Sequence, residues 1–459
     1  MKHGFNRFLC LLGALGSGGA AGLLAYRMAT LDAPQWAVPC KVLAGFAVLA
    51  VIAALMRGGW LQKLISGGMK LALTTVITFG VAEVACRALK VDFNELLGMR
   101  RANESFPIYF RLPTHPSGDI FFTRPPGSFW TGKPLQTLLK NNRSTDAAYA
   151  DEQELTVRYS KEGFRNPDDL ADWDIVVTGD SFTESGYLSE SAIFTGVAAT
   201  QTGKRIKNLG VADTGNFAHT HYLETYGQAP SCRVAVLAFF EGNDLTDNVN
   251  ELAALEKFKD SGERPSHEIP RQPSLLRAMW TLVRDFKKLK LKDRSYANAF
   301  FKSGNAETPV TIADAPPSSA QMTAAEKAAL TAALDRFVAA SQKHGMKPHL
   351  LYLPCKRRVL HGHLRQGTDY PQPDWQPGDL PQHIAEQCAQ RGIAFIDATP
   401  SLSAAAAAGK PAFNTIYDTH FDAEGQRIVG EVLAQALKPS LEITSTSASP
   451  SETDRFRRR

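Results

Sequence analysis

Hydrophobic and polar positions split the chain near residue 90, with long apolar runs before that point and short alternating elements after it. Arg7 and Arg27 bracket an uncharged, Gly- and Leu-rich stretch that approaches bilayer thickness at about 1.5 Å per helical residue. A second run extends from Ala37 to Met56. Its only charge, Lys41, sits near one end, where the stem can snorkel to the interface. A third run, Leu71 to Leu89, is weaker because Glu83 and Arg87 interrupt it. The charged start and apolar middle of the first run also fit a secretory signal peptide. Two further apolar runs and the lack of a clear cleavage site favour anchoring helices. The expectation is a membrane anchor over 1–90 with two or three transmembrane helices.

Basic residues suggest its orientation. Lys2 and Arg7 precede the first run, and Arg57, Lys63 and Lys70 lie between the second and third. The positive-inside rule then makes the N-terminus and second loop cytoplasmic. Three spans put the chain beyond about residue 90 outside the cytoplasmic (inner) membrane; if the third run does not span, the same region is inside.

Residues 91–168 are rich in Pro, Gly, Asn and aromatics without helical periodicity, and read as an extended linker or flap packed on the following domain. From Asp174 the pattern changes. Strand candidates are Asp174 to Val177, Arg205 to Leu209, Val234 to Phe240, His349 to Leu353 and Ala394 to Ile396. The clearest helices are Ala324 to His344 and Ala423 to Ala436. Five β-rich runs separated by helical ones predict a parallel five-stranded sheet covered on both faces, in a domain over 169–440.

Residues 258–320 interrupt the alternation as an insertion. There, Pro273 and Ser274 can start a helix at Leu275. Leu276, Met279, Trp280, Val283 and Phe286 form its apolar stripe, and Arg277, Arg284, Lys287 and Lys288 take other faces. Packing on its own domain is the simpler expectation; contact with a membrane, or a cap over the site, is the alternative. Residues 441–459, rich in Ser, Thr and Pro, read as a disordered tail.

Composition narrows the function classes. With 21% charged and 44% hydrophobic residues the chain suits a globular protein. A net charge of +5, without a basic stripe interleaved with aromatics, argues against a nucleic-acid partner. The six cysteines form no C-x-x-C pair and no Cys/His cluster at zinc spacing, so no metal site is expected. Pairing among Cys232, Cys355 and Cys388 is not legible from sequence.

The segment carrying chemistry is Asp174-Ile-Val-Val-Thr-Gly-Asp-Ser-Phe-Thr-Glu-Ser185. A buried strand runs into a tight Gly179-Asp180-Ser181 turn, which places the Ser181 hydroxyl beyond the carboxyl end of a sheet strand, where open α/β sheets bind ligands. Gly179 lets the backbone turn sharply, and Asp180 supports the turn. By itself the tripeptide is also an ordinary helix cap. The Val234 strand ends in Phe240-Glu-Gly-Asn-Asp244, which brings Gly242 and Asn243 to the same edge. Asn208-Leu-Gly210 ends another strand and can supply a backbone N–H. Tyr417-Asp-Thr-His-Phe-Asp422 stands directly before the last helix. A serine hydroxyl needs a base, and His420 titrates in the useful range. Asp418 is the candidate to fix its tautomer.

In order and spacing these blocks resemble the SGNH (GDSL-like) hydrolase superfamily over about residues 170–440. The resemblance implies a flavodoxin-like three-layer α/β/α fold and a serine esterase or O-acyltransferase that needs no cofactor or metal. It also implies Ser181 as nucleophile, His420 as base, and an oxyanion hole of Ser181, Gly210 and Asn243, with Gly179, Asp180 and Gly242 in support. The superfamily's usual Asp three residues before His is Tyr417 here. Asp418 at two before resembles a membrane-associated subgroup that includes the alginate O-acetylation enzymes. Asp422 is a second candidate for orienting the imidazole, and a Ser–His dyad a third arrangement.

The segment Tyr159-Ser-Lys-Glu-Gly-Phe-Arg165 also resembles a feature of these anchored relatives. The subgroup implies short acyl esters, such as acetyl, on a cell-envelope glycan. A lipolytic esterase and a non-catalytic envelope scaffold remain alternatives. His219 and His221 read as structural or surface residues. His361 and His363, with Arg357, Arg358 and Arg365, form a basic cluster that reads as a solvated loop or as the substrate entrance.

Overall fold

The computed structural model describes residues 5–12, 37–55, 59–89, 121–124, 126–136, 151–167, 170–262, 297–367, 369–414 and 419–446, with scattered further positions in 14–25 and 274–280. The chain forms two compact units, residues 1–97 with 272–287, and residues 98–271 with 288–459.

In the first unit, helices α1 (Ala37–Leu55) and α2 (Trp60–Ala88) follow the apolar runs. Cys10, Ala50, Ala53, Ala54 and Ile65 make a small core between the N-terminal segment and these helices. Among the described residues, one helix, Gln62–Ala88, is long and apolar enough to cross a membrane, and Ala44–Leu55 is a shorter apolar helix. The run expected to be weakest therefore belongs to the longest helix. Lys63 and Lys70, expected in a loop, lie on α2 itself. The Lys70 ammonium sits 5.7 Å from the Phe5 ring centroid.

In the second unit, β1 (Phe129–Gly132) and β2 (Leu155–Arg158) pair antiparallel within the segment expected to be extended. β3 (Ile175–Gly179), β4 (Ile206–Gly210) and β5 (Val234–Phe240), then β8 (Lys347–Leu353) and β10 (Ala394–Asp397), form the main sheet. Its order is β10-β8-β5-β3-β4, all pairs parallel. Every residue of β3, β4 and β5 is buried, as expected of strands covered on both faces.

Period-two alternation divides the side chains between two cores. Ile175, Val177, Val234 and Val236 face Phe194, Ile428, Val429 and Leu433 on one side. Val176, Ala235, Leu237 and Phe239 face Phe217, Tyr222, Leu330, Phe337 and Ile384 on the other. Each large apolar side chain so buried stabilises the fold by about 1.5–3 kcal/mol relative to exposure.

The helices between strands include α3 (Ser181–Glu184), α4 (Phe194–Thr202), α5 (Asn216–Tyr226), α6 (Asp244–Ser261), α7 (Ala324–Lys343), α8 (Leu380–Gln390) and α9 (Ala423–Thr446). α7 starts on a capping box between Thr323 and Glu326. α9 runs into the stretch expected to be disordered from 441; residues 447–459 lie outside the described residues. The expected insertion holds β6 (Ala299–Ser303) and β7 (Ala306–Val310). With β9 (Leu364–Gln366) they form a small antiparallel sheet. Cys232, Cys355 and Cys388 are buried free thiols.

Candidate active site

The carboxyl ends of β3 and β5, which neighbour one another in the sheet, deliver Ser181 and Asn243 to one edge. At the end of β3 the chain turns so tightly that a Cβ on Gly179 would lie 2.1 Å from Thr183 Oγ1. The need for glycine is therefore close approach rather than an unusual backbone angle. Asp180 caps α3, its Oδ1 accepting the Phe182 N–H at 2.9 Å. Ser181 follows as the first residue of the helix, and its N–H has no acceptor among the described residues.

His420 arrives from the other end of the chain. An antiparallel bridge between Phe413 and Phe421, and the Asn414 N–H donating to the His420 carbonyl at 3.0 Å, pin the loop before α9. The result is a 2.7 Å contact between Ser181 Oγ and His420 Nε2 across more than half the sequence. The Phe182 ring lies 4.6 Å from the imidazole and the Tyr187 ring 5.5 Å away. Ser181, Asn243 and His420 are all half-buried, so a substrate can reach them.

The other expected residues divide. Asp418 lies outside the described residues. Asp422 does not serve the imidazole: its Oδ1 accepts the Gly425 N–H at 2.8 Å, which makes it the cap of α9, and burial raises its pKa. Gly210 is at the predicted edge, but its N–H donates to Asn208 Oδ1 at 2.8 Å. It packs so closely that a Cβ there would fall 2.4 Å from the Glu184 nitrogen, which makes it the floor on which the nucleophile turn rests. The amide expected in the oxyanion hole is thus held by Asn208 in this structure. Asn243 heads α6 and donates through Nδ2 to Asp247 Oδ2 at 2.8 Å. Gly242 has no room for a side chain, since a Cβ would lie 2.3 Å from the Phe240 ring and 3.1 Å from Asp314 Cγ.

Buried acids lie beneath the site. Burial pushes the Asp180 carboxyl up to about 7, against the pull of the Phe182 N–H and His420. Asp244 is raised well above the carboxylate range by burial and by Asp180, and Asp247 to about 6 by burial and Asp213. Asp180 Oδ2 and Asp244 Oδ1 are buried without a hydrogen-bond partner.

Several residues hold the site; of these the sequence singled out the Tyr159–Arg165 segment, without a role, and not Glu184, Arg124 or Gln426. Glu184, fully buried, takes a bidentate pair from Arg124 (2.8 Å each), the Tyr159 hydroxyl (2.5 Å) and the Ala212 N–H (2.6 Å). Arg165 donates to the Glu184, Ser185 and Leu188 carbonyls. The segment Tyr159–Arg165 thus buttresses the turn that carries Ser181. Gln426 on α9 is also fully buried. It accepts the Phe194 N–H at 2.7 Å and donates to Ser185 Oγ at 2.6 Å and to the Phe182 carbonyl at 3.2 Å, joining the histidine block to the serine block. Asp213, after β4, sits in the left-handed region at φ 63°, which Asp tolerates better than most residues. Asp314 is raised by burial, and its Oδ2 has no partner.

His219, His221, Arg357 and Arg358 are held within the fold. His219 is fully buried between Thr214 and Asn216, and burial lowers it to about 3, a neutral ring. His221 is also buried. Arg358 pairs with Glu241, Arg365 pairs with Glu307, and Arg357 is buried against Tyr370 and Trp375. Of the expected basic cluster, Arg357 and Arg358 are thus buried in the fold, whereas His361 and Arg365 are exposed and His363 is half-buried. Among the described residues no group of His, Cys, Asp and Glu side chains has the makings of a metal site.

Sheet order and the positions of the serine and histidine blocks define an SGNH-like α/β fold. Residues 315–457 match the family model described as the SGNH hydrolase-like domain of the acetyltransferase AlgX, a stretch that includes His420 but not Ser181, Gly210 or Asn243. No curated protein matches the sequence. Among solved structures, a member of the lipolytic G-D-S-L family from Veillonella parvula DSM 2008 is 10% identical, covering 57% of this chain and 96% of its own, at a TM-score of 0.31. A putative lipolytic G-D-S-L protein from Desulfitobacterium hafniense DCB-2 is 10% identical, with coverage of 57% and 99% and a TM-score of 0.29. A carbohydrate esterase family 2 enzyme with a carbohydrate-binding domain, from Corynascus thermopiles (Myceliophthora fergusii), is 14% identical, with coverage of 65% and 75% and a TM-score of 0.31. Strand order and block placement, not these distant likenesses, carry the fold.

Proposed function

We propose that this chain is a serine esterase or O-acyltransferase acting on acyl esters, with acetyl esters of a cell-envelope glycan as the favoured substrate class. The observation that carries the reading is the 2.7 Å Ser181–His420 contact at the carboxyl edge of the parallel sheet. The match to the AlgX acetyltransferase family model favours the acetyl group.

In the proposed reaction His420 Nε2 takes the proton from Ser181 Oγ as the hydroxyl attacks the ester carbonyl. The Ser181 N–H and the Asn243 amide stabilise the resulting oxyanion, and Asp418 orients the imidazole. Collapse expels the alcohol, which receives the proton from His420, and leaves an acyl-Ser181. Water then completes hydrolysis; a sugar hydroxyl completes transfer instead. Neither route calls on a cofactor. The apolar helix Gln62–Ala88 supports a membrane anchor, and the domain is assigned to the outer face of the cytoplasmic membrane.

The full chain in detergent, offered an O-acetylated glycan and an unacetylated acceptor, is expected to release or move acetyl. Loss of both activities in Ser181→Ala and in His420→Ala, with folding retained, supports the reading. Wild-type turnover in either folded variant removes it.

A further inference from the structure

The proposed chemistry leaves Asp314 without a use. It follows β7, in the stretch that returns the insertion to the sheet. Its Cγ lies 3.1 Å from where a Cβ on Gly242 would stand, so the carboxyl packs against the residue that precedes Asn243. Its charge also bears on Lys356 and on His420. The carboxylate therefore stands between the block that carries an oxyanion donor and the block that carries the base.

Lys356 fixes that placement. Fully buried, its ammonium donates to the Thr311 carbonyl at 3.2 Å and to the Asn414 carbonyl at 2.6 Å. The Asn414 N–H in turn holds the His420 carbonyl. One cation thus ties the stretch after β7 to the loop that delivers His420. Burial raises the Asp314 pKa, and the Lys356 ammonium pulls it back toward the ionised form.

A purely structural acid in this neighbourhood collects donors. Glu241 does so, accepting the Tyr352 hydroxyl, the Cys355 N–H and Arg358. Asp314 does not: its Oδ2 is buried without a hydrogen-bond partner. A buried acceptor left unpaired is costly, which calls for a donor from elsewhere. Asp314, Asn243 and His420 are all half-buried, so a substrate can bring that donor. A fixed carboxylate in the same place opposes a substrate that carries one of its own.

We propose that Asp314 is a specificity-determining residue of the site: its carboxylate accepts a hydroxyl of an uncharged sugar and turns away uronate sugars. The proposal rests on the serine esterase reading and narrows its substrate class to neutral glycans.

The test measures acetate release by the full chain in detergent from two O-acetylated oligosaccharides of opposite character, a cello-oligosaccharide and its form oxidised to carboxylate at C6. Wild type is expected to favour the neutral ester about tenfold in kcat/KM at low ionic strength. Added salt should shrink that preference by screening the charges. Asp314→Asn keeps an acceptor oxygen without the charge, and should bring the two values within about twofold of each other. Asp314→Ala removes the acceptor as well, and should lower kcat/KM on the neutral ester about tenfold. A carboxylate that acts only through His420 slows both esters alike and leaves their ratio unchanged. That result in folded Asp314→Asn overturns the assignment, and so do equal values for the two esters in wild type, where no variant is needed. Either leaves the esterase reading standing. A wild-type chain that releases acetate from neither ester removes the esterase reading, and the specificity with it.

Discussion

The two sides of the nucleophile turn are built in opposite ways. The side facing solvent, with Ser181, His420 and Asn243, is half-buried, and the Ser181 N–H has no acceptor among the described residues. The inner side, with Glu184, Arg124, Tyr159, Arg165 and Gln426, is closely hydrogen-bonded and largely excluded from water. The contrast separates two tasks. Donors directed at a transient oxyanion stabilise it most when no resting partner competes for them. Groups that hold those donors in place are stable only when their buried charges are paired. Stability should thus be concentrated on one side of α3 and rate on the other.

Glu184→Gln strikes the inner side hardest. It leaves the buried Arg124 without its bidentate carboxylate, and breaking such a pair costs about 3–5 kcal/mol. Urea denaturation of the full chain should show that loss; a change within about 0.5 kcal/mol, typical of a surface site, would erase the distinction between the two sides. Asn243→Ala should do the reverse, lowering kcat on the order of 10²-fold with KM little changed, because the interaction strengthens with the developing oxyanion. Retained kcat in the folded variant would take Asn243 out of the site.

The smallest effect concerns pH. Asp180 rises from 3.8 to about 7 on folding, so the native state holds a proton there that the unfolded chain releases between those values. Its contribution to stability is therefore lost as pH rises from about 4 to 7. Glu184 has the opposite sign, because its lowered pKa makes its contribution fade as pH falls below the ordinary carboxylate range. Asp180→Asn keeps an acceptor for the Phe182 N–H, and the fall in Tm from pH 5 to 7.5 should become shallower. An unchanged slope would mean that Asp180 is ionised throughout.

Much of this was legible in the sequence, for identifiable reasons. Strands buried on both faces read as continuous apolar runs, so β5 (Val234–Phe240) was placed to the residue. Ser181 and His420, which lie in contact, stood out in the sequence because each sits where a strand or loop meets a helix, a junction marked by Gly, Asp and Ser or by Asp. Of the buttress, only the Tyr159–Arg165 segment stood out, without its role, because Glu184–Arg124 and Gln426–Ser185 are pairings between distant segments that leave no local period. The state of the Gly210 amide was not legible for a related reason: whether an amide at a strand end is free depends on a side chain, here Asn208, folded back beside it. Most of the stripe expected in the insertion, Leu276, Val283 and Phe286 included, lies outside the described residues; the Leu275 N–H meets Glu83, which in sequence reads only as a flaw in an apolar run.

The most direct test of the central claim is covalent labelling of Ser181. The intact full chain is treated with a fluorophosphonate under conditions that label a known serine esterase, and the modified peptide is located by mass spectrometry. The Ser181–His420 contact predicts one adduct on Ser181, absent from Ser181→Ala and formed far more slowly in His420→Ala. No adduct on the wild-type chain, or an equal adduct on folded Ser181→Ala, would contradict the assignment of Ser181 as nucleophile.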